Sequence, residues 1–151
     1  MSKSFKFSLK KVLKYKCDKE DIKSNDLKKV KNLLKIEKDN LQKLLCKKDE
    51  HLGETQKLKN EDNISLDKLK ASAAYLDQLN DQISSQDKKV EESNHKVEEV
   101  RKDLLEISKS RKILEKLREK KYQDYKDMSK KEERRIESEI ALRKKTRNTG
   151  D

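Results

Sequence analysis

The chain has 151 residues, of which 47% are charged, 30% hydrophobic and 4% aromatic, with no proline and no tryptophan. An ordinary globular domain is about 45–50% apolar and about 25% charged, so this composition excludes a conventional globular core. Simple disorder is also disfavoured, because disordered chains are rich in proline and glycine. The remaining possibility is long helices that share a narrow apolar seam.

The net charge of +11 predicts acidic partners, which could be nucleic acid, an anionic membrane face or an acidic protein surface. Residues 1–16 alone hold six lysines, among them Lys3, and no acidic residue. No apolar run approaches the ~20 residues of a membrane span. The first residues also lack the apolar core of a secretory signal, so we expect a cytoplasmic protein.

The first half of the sequence carries apolar residues at heptad spacing. They form two rows, Leu13, Leu27, Leu34, Leu41 and Leu9, Val30, Leu44. Glu20, Lys23 and Glu37 interrupt these rows. The pattern predicts a helix over about residues 5–52.

A turn is predicted over about residues 53–64. Gly53 is the only glycine before the last two residues, and it lies in the most polar and least periodic stretch of the chain. Asn63 or Ser65 can then cap a second helix, because a short side-chain oxygen satisfies the free N–H groups of its first turn.

The second half has the stronger heptad pattern. Its first row is Leu69, Leu76, Ile83, Val90, Val97 and Leu104, and its second row is Ser72, Leu79, Gln86, Ser93, Val100, Ile107 and Leu114. Six consecutive heptads with a filled first row predict a coiled-coil helix over about residues 65–145, followed by a short basic tail.

These elements predict an all-α fold in which residues 1–151 form a single coiled-coil domain. Two long helices make an antiparallel coiled-coil hairpin with a longer C-terminal arm. Residue i then faces residue 117 − i, which places Leu34 near Ile83 and Leu41 near Leu76. Beyond about residue 113 the longer arm has no partner, yet it carries an apolar stripe. We expect a monomeric hairpin; a homodimeric rod whose helices pair between chains is the structural alternative.

No catalytic constellation is present. His51 and His95 lack metal-ligand spacing to Cys17 or Cys46. There is also no glycine-rich phosphate loop. We therefore expect a non-enzyme without metal or cofactor. Nucleic-acid binding is the functional alternative, but the cation-dense residues 109–121 keep an apolar row and aromatic residues are not interleaved as a stacking platform. Specific binding of nucleic acid is not expected.

Three stretches of the sequence are similar to the FliJ family, a small component of the flagellar type III export apparatus. They are Phe5-Lys6-Phe7-Ser8-Leu9-x-x-Val12-Leu13, Tyr75-Leu76-x-x-Leu79-x-x-x-Ile83 and Arg111-Lys112-Ile113-Leu114-Glu115-Lys116-Leu117. The resemblance covers nearly the whole chain.

The resemblance implies a mechanism. FliJ proteins are antiparallel two-helix coiled coils similar to the central stalk of rotary ATPases. They insert their terminal end into the hexameric ring of the flagellar export ATPase, favour ring assembly and contact the membrane export gate. They are also linked to the recycling of export chaperones. A role in flagellar biogenesis and motility follows, with a peripheral location on the cytoplasmic side of the membrane at the basal body.

The resemblance also implies two contact sites. The export ATPase contact comprises Phe5, Phe7, Leu9, Val12, Leu13, Leu114, Leu117 and Tyr125. The export gate contact comprises Tyr75, Leu79, Gln82, Gln86, Asn40 and Leu44. Part of the first set could equally staple the two helices together, and Leu79 and Leu44 also fit the seam. Lys47 and His51 occupy places where the family implies aromatic residues.

Overall fold

The computed structural model describes residues 4–150, so Lys3 of the basic N-terminal group lies outside the described residues. Two α-helices make up the fold: α1, Lys10–Lys59, has 50 residues, and α2, Leu66–Asn148, has 83. Residues 4–150 contain no strand. The all-α prediction is confirmed: the fold is a helical hairpin with a longer C-terminal helix.

The chain divides into two compact units. The terminal unit comprises Met1–Glu20 and Glu106–Asp151, and the turn unit comprises Asp21–Leu105. Each unit holds one segment of α1 and one segment of α2. The interpretation of residues 1–151 as a single domain stays a prediction.

The predicted seam forms the packed interface of the turn unit. Leu79, Val90 and Val97 are buried there, and so are the polar residues Ser72 and Gln86. All five occupy the two heptad rows of the second half of the sequence. Spacing, more than residue type, therefore identifies the face of α2 that packs against α1.

The first helix continues beyond its predicted end. Gly53 lies inside α1, its φ is not positive, and α1 ends seven residues after the predicted end at about residue 52. Glycine in a helix interior costs only about 1 kcal/mol relative to alanine. Half-buried Thr55 and Leu58 lie beyond it on the packed face of α1, and their packing outweighs this cost.

The connection between the helices is therefore residues 60–65, shorter than the predicted turn. At the end of α1, the amide of Asn60 donates to the carbonyl oxygens of Gln56 and Lys57, both at 3.2 Å. At the start of α2, the Ser65 side chain accepts a 3.5 Å bond from the Lys68 amide. Ser65 is thus the capping residue of α2.

The later turn shifts the helix pairing. Glu37 pairs with Gln86, and His51 pairs with Ser72, so the residue numbers of these two pairs add up to 123 and not to the predicted 117. The predicted partners Leu34–Ile83 and Leu41–Leu76 are correspondingly wrong. Moving the turn centre from about residue 58 to residues 60–65 is the physical reason for this correction.

The buried residues of the terminal unit lie near the beginning of α1. Phe7 and Leu13 are its buried apolar side chains. The chain turns into the helix with a 3.2 Å bond from the Lys10 amide to the Phe7 carbonyl. The α1 segment of this unit ends at Glu20, whereas its α2 segment runs on to Asn148, and every residue from 130 to 150 is exposed.

Candidate functional site

An aromatic cluster lies in the terminal unit, where Phe5 contacts two rings of α2. Its ring centroid is 5.2 Å from that of Tyr122 in an edge-on arrangement and 5.6 Å from that of Tyr125. Sequence analysis placed Phe5 and Tyr125 in one contact set but left Tyr122 out. The signal for Tyr122 was its spacing, because residues three apart on a helix share a face.

The predicted ATPase contact residues fall into three groups by burial. Phe7 and Leu13 are buried in the terminal unit, so they belong to its packed interior and are not available to a partner. Half-buried positions are Phe5, Leu9, Leu114, Leu117 and Tyr125. Val12 is 43% exposed. The structure thus brings Phe5 and Tyr125 of the set into contact, and Val12 is the member that offers an apolar surface to a partner most openly.

Polar residues that interrupt the heptad rows of α1 each have a polar partner on α2. Within the terminal unit, Glu20 accepts hydrogen bonds from Arg111 and, at 3.0 Å, from Ser108. The Arg111 hydrogen bond is the main reason that the pKa of Glu20 lies below its usual range. Sequence analysis treated these residues as breaks in the seam and missed their pairing.

The turn unit repeats this arrangement. The Gln86 amide donates to the Glu37 carboxylate and to the Glu37 carbonyl oxygen at 3.0 Å. Lys23 lies 3.6 Å from Asp103. Pairs of this kind favour one register over its neighbours, because a slip would leave the polar groups without partners.

A second apolar surface lies on the part of α2 beyond the aromatic cluster. Met128, Ile136, Ile140 and Leu142 are all exposed there. Ile136 and Ile140 are one helical turn apart, so they share a face. This stripe adds to the exposed side chains of Val12, Tyr15, Ile113 and Tyr122 elsewhere in the terminal unit.

The predicted gate contact lies in the turn unit and centres on Tyr75, which is 43% exposed. The His51 ring packs edge-on against the Tyr75 ring with centroids 4.6 Å apart. His51 Nε2 also donates to the Ser72 carbonyl oxygen at 2.9 Å, and Thr55 Oγ lies 2.6 Å from Ser72 Oγ. His51 thus supplies a fixed ring at a place where the family implies an aromatic side chain.

Other members of the predicted gate set differ in accessibility. Leu79 is only 2% exposed, and Gln86 is buried with its amide bonded to Glu37, so both belong to the helix interface. Asn40 and Gln82 are exposed, and Leu44 is half-buried. Leu44, Gln82 and Gln86 line a shallow groove of about 390 Å³. The structure therefore brings part of the set to one groove.

Residues 4–150 hold neither a cluster of metal ligands nor a membrane-spanning helix. No group of three histidine, cysteine, aspartate or glutamate side chains there is arranged to hold a metal ion. Neither described helix has the length and apolarity needed to cross a membrane. Cys17 and Cys46 are free thiols.

Comparison with known proteins decides the family. A family model described as Flagellar FliJ protein matches residues 5–150, nearly the whole chain. The chain belongs to the FliJ family. No curated protein and no solved structure shows significant similarity to it.

FliJ family membership identifies the chain as a component of the flagellar protein export apparatus. The family consists of structural export components. The two contact sites that the resemblance implied fall in different units of the molecule: the Phe5 to Tyr125 set lies in the terminal unit, and the Tyr75 set lies in the turn unit.

Proposed function

We propose that this protein acts as a stalk of the flagellar export apparatus, whose terminal unit binds the hexameric export ATPase and favours its assembly. The observation that carries the proposal is the uncovered apolar surface of the terminal unit. Val12, Ile136 and Ile140 expose 43%, 46% and 49% of their surface on segments that are otherwise dominated by charge. Such side chains gain about 25 cal/mol for each Å² that a partner covers.

The test is binding of the full chain to its cognate flagellar export ATPase. Serine at Val12, Ile136 and Ile140 should raise the Kd at least about tenfold, because three apolar contacts would be lost. The matched control places serine at Leu33, Ile36 and Leu105, three apolar residues of the turn unit with similar exposure. Equal Kd values for the two triple variants would contradict the assignment of the terminal unit.

Buried members of the predicted set need a separate interpretation. Phe7→Ala and Leu13→Ala each remove a buried side chain, so we expect them to weaken ATPase binding by destabilising the terminal unit. Thermal unfolding measured beside binding separates this indirect loss from the direct loss expected at Val12.

We further propose that the turn unit contacts the membrane export gate through Tyr75 with Gln82, Asn40 and Leu44. The supporting observation is the exposed Tyr75 ring, which His51 holds in an edge-on contact at 4.6 Å. Leu79 and Gln86 support the surface from within the helix interface. Tyr75→Ala should weaken binding to the soluble cytoplasmic part of the gate. Tyr15→Ala, which removes an exposed tyrosine of the terminal unit, should not.

A role in escorting export chaperones, and a peripheral location at the cytoplasmic side of the membrane, complete the proposal. Both rest on the family resemblance alone. Co-purification of the full chain with a cognate export chaperone tests the chaperone-escort role. Failure of the two proteins to bind at micromolar concentration would contradict that role.

A further inference from the structure

A cationic groove lies beside the aromatic cluster of the terminal unit. Its volume is about 450 Å³, and the N-terminal segment forms much of its wall. Its lining residues are Phe5, Lys6, Phe7, Ser8, Lys10, Lys11 and Arg118. Four of the seven carry a positive charge and none carries a negative charge.

These four cations form no ion pair with a carboxylate of the described chain. Arg111 and Arg135 pair with carboxylates of α1 or α2, whereas none of the ion pairs formed among residues 4–150 involves Lys6, Lys10, Lys11 or Arg118. The groove also borders the start of α1, whose first turn contains no acidic residue. The unpaired N–H groups at a helix start add partial positive charge. An acidic ligand would therefore be attracted by the four cationic side chains and by the partial positive charge at the start of α1.

A second groove of about 440 Å³ adjoins the first and shares Phe5 and Arg118 with it. Its remaining lining residues are Tyr122, Glu115 and Glu119. Here the half-buried ring of Phe5 and the exposed ring of Tyr122 provide an apolar surface next to two carboxylates. The two grooves together thus present a concentrated positive charge on one side of Phe5 and a mixed apolar and acidic surface on the other.

We propose that the two grooves bind an acidic protein segment that places its carboxylates among Lys6, Lys10, Lys11 and Arg118 and an apolar side chain against Phe5 and Tyr122. This inference rests on the proposed function, since the export ATPase is the protein expected to supply the segment. It adds the chemistry of the partner: charge complementarity guides the encounter, and the apolar anchor holds the bound segment.

The surroundings favour an acidic protein segment over nucleic acid. The Phe5, Tyr122 and Tyr125 rings pack against one another, and Phe7 is buried with Lys121 over its ring at 6.0 Å. The Phe5 ring lies at 68° to the Tyr122 ring and at 48° to the Tyr125 ring, so the cluster does not form a row of parallel platforms for bases. Glu115 and Glu119 would also repel a phosphate backbone that continued from the first groove into the second.

The test compares the full-length chain with a variant in which Lys6, Lys10, Lys11 and Arg118 are all glutamine. All four side chains are exposed, so the fold should be kept, which circular dichroism and thermal unfolding verify. We expect the Kd for the cognate export ATPase to rise at least about tenfold at 50 mM salt. The dependence of log Kd on log salt concentration should also become flatter, because fewer charge pairs remain to be screened.

Two further variants keep the test specific. Glutamine at Lys28, Lys31, Lys35 and Lys38 removes the same charge from exposed positions of the turn unit, and its Kd should stay within about twofold of wild type. A charge-conserving variant, with arginine at Lys6, Lys10 and Lys11 and lysine at Arg118, should retain binding.

The outcomes separate the inference from the function on which it rests. If the wild-type chain does not bind the ATPase, the proposed function and this inference both fail. If wild type binds and the two glutamine variants weaken binding equally, net charge alone is responsible and the groove assignment is wrong. If the groove variant keeps ATPase binding but loses binding to a 20-base-pair DNA duplex, the groove serves nucleic acid and the inference is overturned.

Discussion

Similar apolar residues are buried in the turn unit and exposed in the terminal unit. In the turn unit, heptad residues such as Leu79 and Val97 lie against a second helix and are buried. In the terminal unit, Ile136 and Ile140 are equally apolar but remain exposed, on a stretch of α2 where every residue from 130 to 150 is exposed. An apolar residue is buried where a second helical segment packs against it, and it stays available to a partner where no such segment is present. Residue type alone does not decide between the two outcomes.

The largest expected effect contrasts the two kinds of apolar residue directly. Leu79→Ala should lower the free energy of unfolding by about 2–4 kcal/mol, because it leaves a cavity at a residue that is 2% exposed. Leu142→Ala, at a residue that is 62% exposed, should change it by less than about 0.5 kcal/mol. Urea unfolding measures both values. Similar values for the two variants would contradict the distinction between buried seam residues, such as Leu79, and exposed residues of the C-terminal stripe, such as Leu142.

The polar pair of the turn unit provides the next test. Replacing both Glu37 and Gln86 by leucine should raise the free energy of unfolding by about 1–3 kcal/mol, because a paired polar layer becomes an apolar one. The same change should loosen the register, so light scattering should detect a larger fraction of dimer for the double variant than for wild type. A double variant that stays monomeric would show that the turn, and not the polar pair, fixes the helix pairing.

Gly53 allows a smaller test within the same unit. A Cβ atom added at Gly53 would meet nothing within 4 Å, and the residue is helical without a positive φ. Gly53→Ala should therefore stabilise the protein by about 0.5–1 kcal/mol. Thermal unfolding checks this value. A loss of stability would mean that α1 does not continue through residue 53.

The smallest effect concerns Glu20 in the terminal unit. Its hydrogen bond from Arg111 lowers its pKa in the folded protein, so its contribution to stability is present at neutral pH. That contribution is lost as the pH falls below the ordinary glutamate pKa of about 4.3. The urea midpoint of wild type should exceed that of Glu20→Gln at pH 7, and the difference should disappear near pH 2. A difference that persists at pH 2 would contradict this assignment.

Much of the fold was predictable because heptad spacing depends on local sequence. The buried positions Leu79, Val90 and Val97 all lie in the predicted rows. The turn was harder to place, because Gly53 has a low helix propensity but sits among residues whose packing keeps α1 helical. An error of a few residues in the turn then moves every cross-helix pair, which is why the predicted pairing of Leu34 with Ile83 was wrong.

Contact sites were less predictable than the fold. Heptad position indicates that a residue lies near the seam, but it does not separate buried Leu79 from half-buried Leu44 of the same predicted contact set. Contacts such as that of Phe5 with Tyr122 join residues far apart in sequence, so they depend on how the segments pair, which the sequence does not fix. The pairing of Glu20 with Arg111 was not predicted, for the same reason.

The most direct test of the stalk proposal is steady-state ATP hydrolysis and co-elution of the cognate flagellar export ATPase, with and without this protein. A chain of the same composition and charge with scrambled heptads is the control. We predict that the protein stimulates hydrolysis and co-elutes with the ATPase, whereas the scrambled chain does neither. Equal effects from both chains, or no effect from either, would contradict a specific stalk-like role.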